Sequence, residues 1–139
     1  MVQRPEACAI CGCTLNRSGN YARSTVEGRS HASKHHFVAE RFFGRSTNRR
    51  GTKRQGIFEV CPWGHEGEGD VYCYECHEEL LHNPILLPED IRAFSELVRS
   101  RNLDEGKKPD HKKQIAGRVS LFHEVIASGL KTLLRQESR

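Results

Sequence analysis

The hydrophobic and polar positions predict that the C-terminal part of the chain, residues 85–139, consists of two helices. Apolar residues recur there every three or four positions, and the first helix opens at Pro88 with acidic residues in its first turn. The second helix is predicted from about Asp110 to about Gln136. The apolar positions are Ile91, Phe94, Leu97 and Val98 in the first helix, and Ile115, Val119, Phe122, Ile126, Leu130 and Leu133 in the second, widened by Leu121 and Val125. We expect this extension to pack on the rest of the chain, with a dimer contact as the alternative.

The preceding part of the chain carries only short elements. IFEVC at 57–61 and VYC at 71–73 have the apolar content of short strands, and the glycine-rich segment 62–70 between them predicts an irregular loop. A helix of two to three turns is predicted from near Tyr74 to His82, before Asn83-Pro84. With 139 residues and a mean hydropathy of -0.67, such a chain buries a small core. We therefore expect an α+β fold that needs a metal staple.

The six cysteines supply candidate ligands for that staple. Cys8 and Cys11 form one C-x-x-C pair, and Cys73 and Cys76 form another. The chain shows no export signal, which favours thiolate ligands over disulfides, and four thiolates complete a closed zinc site. The two remaining residues, Cys13 and Cys61, have no assigned role. A second site built from them and His65 is a less favoured alternative.

Charge and hydropathy indicate where the protein works and what it binds. No apolar run is long enough to cross a membrane and no signal peptide is visible, so we expect a cytoplasmic protein without a membrane partner. Residues 1–58 hold 11 Lys and Arg against 3 Asp and Glu, whereas residues 59–139 carry a net charge of −4. The basic half contains an apolar-free loop at 45–54, with Arg45, Arg49, Arg50, Lys53 and Arg54. This asymmetry is typical of a protein that binds a polyanion such as DNA or RNA.

Three histidines stand out from the eight in the chain. His35 and His36 are adjacent, and neighbouring side chains of a strand point to opposite faces. One of them is therefore able to hold a metal while the other faces a substrate. His77 directly follows Cys76 at the start of the predicted helix.

Taken in order, C-x-x-C, HH and C-x-x-C-H resemble the zinc-containing branch of the HNH endonucleases. The resemblance covers roughly residues 8–83. It implies a ββα-metal core within residues 1–84, in which KHHFV and DVYC supply two strands and YECHEELLH supplies a helix. Zinc on Cys8, Cys11, Cys73 and Cys76 would staple this core, and the helical residues 85–139 lie outside it.

The resemblance also implies a role for each histidine. His36 matches the general base, and His35 and His77 match the ligands of a catalytic divalent ion, which is Mg²⁺, Mn²⁺, Ni²⁺ or Zn²⁺. His82 lies five residues after His77, about 140° away on an ideal α-helix. We therefore expect it to be a helix-end residue or a phosphate contact. The central asparagine of the family is replaced by Glu68, so its role is either lost or taken by Glu68, Asp70 or Asn48.

The sequence thus favours a metal-dependent HNH-type endonuclease that hydrolyses phosphodiester bonds in DNA with weak sequence preference, RNA being the other substrate left open. Arg41 and the basic loop 45–54 would contact the phosphate backbone. The alternative is a non-catalytic, zinc-stabilised module that binds nucleic acid or protein through a degenerate HNH site. A thiol redox enzyme is less favoured because no βαβ pattern surrounds either cysteine pair. A homodimer through the C-terminal helices is the other partner considered.

Overall fold

The computed structural model describes residues 6–15, 32–44, 56–104 and 111–138. The basic loop 45–54 that the sequence singles out, including Asn48, lies outside these residues. Within the described parts, no helix combines the length and the apolar character that a bilayer span requires.

The chain divides into two compact units, Met1–Ile85 and Leu86–Arg139. The described elements of the first unit are two strands, a 3-10 turn and a π-helix, and those of the second are two α-helices. The elements are β1 (Ser33–His36), the 3-10 turn (Glu40–Phe43), β2 (Gly69–Tyr72), the π-helix (Cys76–Leu81), α1 (Pro88–Ser100) and α2 (His111–Glu137). The predicted mixture of strands and helices is thus present.

A two-stranded antiparallel sheet is the frame of the first unit. Ser33 pairs with Tyr72 at one end of β1 and β2, and His36 pairs with Gly69 at the other. A Cβ atom on Gly69 would lie 2.5 Å from the carbonyl oxygen of His35, so a side chain here would push the strands apart. Glycine at this position therefore lets β2 begin directly beside the histidine pair.

The strand predicted over residues 57–61 is wrong. The backbone N–H groups of Ile57 and Phe58 both donate to the carbonyl of Phe42, at 2.8 and 3.1 Å, which is not a ladder pattern. The Phe58 ring lies edge-on to the rings of Phe42 and Trp63. The apolar content that predicted a strand therefore builds an aromatic cluster between loop residues.

The core of the first unit is small and consists in large part of cysteine. Its buried cluster is Cys8, Leu15, Tyr72 and Cys73, with Cys13, Ala32, Val71, Cys76 and Leu81 packed against it. Two of the four buried members are predicted zinc ligands. Apolar burial alone is thus a weak source of stability here, as expected for a small polar chain.

The second unit is built from α1 and α2. The Asp90 carboxylate accepts the backbone N–H of Leu87 at 2.9 Å and closes the first turn of α1. Phe94 of α1 meets Phe122 of α2 edge-on, with ring centroids 5.5 Å apart. Leu103 fits against Gly117, where a Cβ atom would lie 2.5 Å from the leucine Cδ2.

The predicted apolar face of α2 is only partly covered. Leu121, which the pattern placed at the margin of this face, is 3% exposed, whereas Leu130 and Leu133 are each 58% exposed. Within the described residues, the C-terminal half of this apolar face is therefore largely exposed.

Candidate metal centres

The four predicted zinc ligands meet at one point of the first unit. The sulfur atoms of Cys8, Cys11, Cys73 and Cys76 lie within 4.8 Å of one another. The distance from Cys11 Sγ to Cys73 Sγ is 3.9 Å. Zinc–sulfur bonds of about 2.3 Å in a tetrahedron separate the sulfurs by about 3.8 Å. The cluster therefore has the ligand type, number and spacing for a structural metal ion, and is compatible with zinc.

Tight turns at both cysteine pairs produce this convergence. The Gly12 N–H donates to the Cys8 carbonyl at 3.0 Å, and Gly12 has a φ of 77°, which glycine adopts readily. On the other side, the backbone N–H of Cys76 points at Cys73 Sγ, at 3.4 Å. The Ala9 N–H donates to the Val71 carbonyl at 3.1 Å and links the N-terminal turn to β2.

The cysteine thiols of this region differ in pKa. Burial raises the pKa of Cys8, but hydrogen bonds from the backbone at Cys11 and Cys73 outweigh this effect and lower it to about 6. Burial, together with the neighbouring Cys11, raises the pKa of Cys13 to about 12. Burial and the other cysteines likewise raise the pKa of Cys76. Crowded thiolates repel one another, and a bound cation removes that repulsion.

A second cluster contains three histidines. One ring nitrogen from each of His35, His77 and His82 lies within 4.8 Å of the other two. His35 Nδ1 is 3.1 Å from His77 Nε2 and 3.4 Å from His82 Nε2. Metal–nitrogen bonds of 2.0–2.1 Å place tetrahedral ligands about 3.4 Å apart. Both distances are thus close to the spacing of tetrahedral ligands, so this cluster could hold a metal ion.

His82 belongs to this cluster because its helix is not an α-helix. The backbone N–H of His82 donates to the carbonyl of His77, five residues back, at 3.2 Å. This is the hydrogen bond of a π-helix, whose wider turn returns residues five apart to the same face. The two rings have centroids 4.3 Å apart. The projection that placed His82 about 140° from His77 is therefore wrong, because it assumed α-helical geometry.

The surroundings of His35 favour its neutral imidazole. Burial lowers the pKa of His35, and the neighbouring His77 and His82 lower it further, because adjacent positive charges repel. A metal ligand has to be unprotonated at the coordinating nitrogen. The packing of the three rings thus holds His35 in the form that binds a cation.

His36 lies outside both clusters. β1 alternates its side chains, so Ser33 and His35 share one face and His36 lies on the other. His36 Nε2 is 3.5 Å from Glu40 Oε1. A cleft of about 260 Å³ is lined by Lys34, His35, His36, Ala39, Glu40 and Arg41. This cleft therefore combines the histidine pair with two cationic side chains.

Glu68, which the resemblance to HNH endonucleases aligns with an asparagine, forms hydrogen bonds in the loop beside the histidine pair. Its carbonyl accepts the N–H of Phe37 at 3.1 Å, and its N–H donates to the carbonyl of His65 at 3.0 Å. Its carboxylate lies 3.4 Å from His65 Nδ1. Asp70 instead accepts the N–H of Val71 at 2.9 Å. Both described candidates are thus tied to the histidine pair, Glu68 through its carbonyl and Asp70 as the cross-strand partner of His35.

The alternative second site is not formed in the described part of the chain. Cys13, Cys61 and His65 belong to neither group of metal-binding side chains. The Cys61 thiol donates to the Gly64 carbonyl at 2.9 Å, and Cys61 is buried. Cys61 therefore acts as a packed residue that fixes its loop.

No protein-family model, curated protein or solved structure matches the chain. The function therefore has to be argued from the two clusters and the cleft.

Proposed function

We propose that the chain is a metal-dependent, HNH-type endonuclease with a ββα-metal core. The observation that carries this proposal is the placement of the two adjacent histidines of β1. His35 joins His77 and His82 around one point, and it also lines the cleft that contains His36 and Arg41. Phosphodiester hydrolysis needs both a cation and a base beside the phosphate.

His35, His77 and His82 would hold the catalytic ion, which supplies Lewis acidity and neutralises charge on the scissile phosphate and the leaving oxygen. Three imidazoles favour Zn²⁺, Ni²⁺ or Mn²⁺ over Mg²⁺, which prefers oxygen ligands. The four cysteines would hold a structural zinc that shares no ligand with this site. Each set of ligands has one member at the start of the π-helix. Cys76 belongs to the cysteine set and His77 to the histidine set.

His36 would take the proton from the attacking water, since imidazole is the side chain that accepts protons near neutral pH. Glu40 engages Nε2 of His36, at 3.5 Å, which leaves Nδ1 for the water. The ring is about one-third exposed, so water reaches it.

The substrate would be held through its phosphates. Lys34 and Arg41 line the cleft that contains His36, and phosphate contacts position nucleic acid without reading its sequence. We therefore expect weak sequence preference and binding to DNA that weakens steeply as salt rises. The basic loop 45–54 would add contacts, as its five cationic residues suggest.

The test is cleavage of supercoiled plasmid with Mg²⁺, Mn²⁺, Ni²⁺ or Zn²⁺. His36→Ala is expected to lower the rate by at least about 100-fold, the usual contribution of a general base, while metal binding persists. His35→Ala should abolish both metal binding at the histidine cluster and cleavage. His111→Ala, an exposed histidine of the second unit, is the matched control and should cleave like wild type.

The second candidate is a non-catalytic module with the same metal-stapled core. The replacement of the family's asparagine by Glu68 favours it. Wild type that binds DNA and retains zinc, yet leaves the plasmid intact with all four metals, would establish this candidate and refute the nuclease.

A further inference from the structure

We propose that Ser33 is a positioning residue that fixes the ring of His77, so that Nε2 of this histidine faces the catalytic ion. The inference rests on the proposed function, since it concerns the histidine cluster of that site. It adds a residue that touches neither the ion nor the substrate.

Two residues of β1 contact the two ring nitrogens of His77. Ser33 Oγ lies 2.5 Å from His77 Nδ1, and His35 Nδ1 lies 3.1 Å from His77 Nε2. Ser33 and His35 are two apart in β1 and therefore lie on the same face. Both ring nitrogens of His77 are thus engaged from β1, and the residue is only 9% exposed.

This arrangement determines the tautomer. A nitrogen that binds a cation carries no proton, so Nε2 has to be the bare nitrogen of His77. The proton then resides on Nδ1, which donates to Ser33 Oγ. In metal sites the second nitrogen of a ligating histidine usually has such a partner, which fixes the ring and raises its basicity.

Glu78 is the competing partner and lies farther away. Its Oε1 is 3.7 Å from His77 Nδ1, longer than a hydrogen bond, whereas its Oε2 is 3.5 Å from His82 Nδ1. The carboxylate is therefore better placed to orient His82. The hydroxyl of Ser33 is the nearer partner of His77.

The experiment compares Ser33→Ala, Ser33→Thr and a control, Ser128→Ala, on an exposed position of α2. Ni²⁺ is titrated calorimetrically into protein whose four-cysteine site is already loaded with zinc. Ser33→Ala is expected to bind Ni²⁺ about 10- to 100-fold more weakly. Ser33→Thr keeps the hydroxyl and suits a strand, so it should restore most of the affinity.

Nitrogen-15 NMR of the imidazoles supplies a readout that general destabilisation does not move. Wild type and Ser33→Thr should show His77 protonated at Nδ1, and Ser33→Ala should show a mixture of tautomers. Unchanged Ni²⁺ affinity and an unchanged tautomer in Ser33→Ala would overturn the inference.

The two proposals fail differently. If wild type binds Ni²⁺, Ser33→Ala binds it more weakly and neither cuts DNA, the nuclease is refuted and the role of Ser33 stands. If both proteins cut DNA and bind Ni²⁺ equally, only the role of Ser33 is refuted. Wild type that binds no Ni²⁺ at the histidine cluster would refute both.

Discussion

At the scale of single residues, the chain assigns its cysteines to different tasks. Cys8, Cys11, Cys73 and Cys76 converge, Cys61 donates to a carbonyl of its own loop, and Cys13 packs beside the cluster. Spacing alone distinguished the four ligands, because a C-x-x-C pair on a tight turn places two sulfurs at adjacent corners of a tetrahedron.

Cys73→Ser is therefore expected to lose the bound zinc and to unfold at much lower denaturant concentration than wild type. Structural zinc supplies about 10 kcal/mol or more in small zinc domains, and the apolar core here is thin. Atomic absorption and urea unfolding measure the two effects. Cys61→Ala, a buried cysteine outside the cluster, is the control and should retain one zinc per chain. Equal zinc content in both variants would count against the four-cysteine site.

A single ion pair of the second unit offers a pH test. The hydrogen bond from Arg101 lowers the pKa of Glu124, against a small opposing effect of burial. The pair therefore stabilises the fold above the unfolded pKa of the carboxyl and loses this contribution as pH falls through the lower, folded value. Glu124→Gln should thus lower the melting temperature slightly at pH 7, and differ less from wild type at pH 3. A difference that grows towards acid pH would contradict this assignment.

At the scale of elements, the π-helix is the feature that periodicity did not predict. The sequence supplies His77 and His82 five apart, and an α-helix separates such residues whereas a π-helix brings them together. The predicted bounds, from near Tyr74 to His82, lie close to the observed π-helix at Cys76–Leu81. Its hydrogen-bond pattern was not predictable from periodicity, because the projection assumed the 3.6 residues per turn of an α-helix.

Deletion of Glu79, an exposed residue of the π-helix, tests this interpretation. The deletion leaves His77 and His82 four residues apart, which is the spacing that shares a face of an α-helix. We expect circular dichroism typical of α-helix and Ni²⁺ affinity within about tenfold of wild type. Insertion of one alanine after Glu79 is the matched change in the other direction, and it should abolish Ni²⁺ binding at the histidine cluster. Retained affinity in the insertion variant would show that the π-helix does not set the site.

The two strands illustrate the same limit of sequence reasoning. β2 was recognisable from the apolar VYC beside a glycine-rich loop, and β1 from the tandem histidines of a familiar motif. IFEVC had similar content, yet its aromatic residues pack against Phe42 and Trp63 instead of pairing. Strand propensity measures how well a side chain fits a packed surface, so it does not identify the partner.

At the scale of the whole molecule, the second unit presents an apolar surface without a described partner. Ile126, Leu130, Leu133 and Leu134 of α2 are each about half exposed or more. Helical periodicity predicted Ile126, Leu130 and Leu133 as part of an apolar face, but it does not say what covers them. A second copy of the chain is the partner that we propose for this face, since two such stripes would bury one another.

Leu130→Glu combined with Leu133→Glu is accordingly expected to convert a dimer into a monomer, as measured by light scattering during size-exclusion chromatography. Lys131→Glu, an exposed neighbour off the apolar stripe, should leave the dimer intact. Wild type that remains a monomer at high concentration would refute the dimer.

The peptide bond between Cys76 and His77 has a kinetic consequence. Cys76 belongs to the four-cysteine cluster and His77 to the histidine cluster, so loss of an ion from the first cluster would also displace a ligand of the second. For the proposed nuclease with both ions bound, a chelator should therefore abolish cleavage in two phases. The fast phase, from the open histidine cluster, should reverse on adding metal back. The slow phase, from the cysteine cluster that forms much of the core, should require refolding to recover.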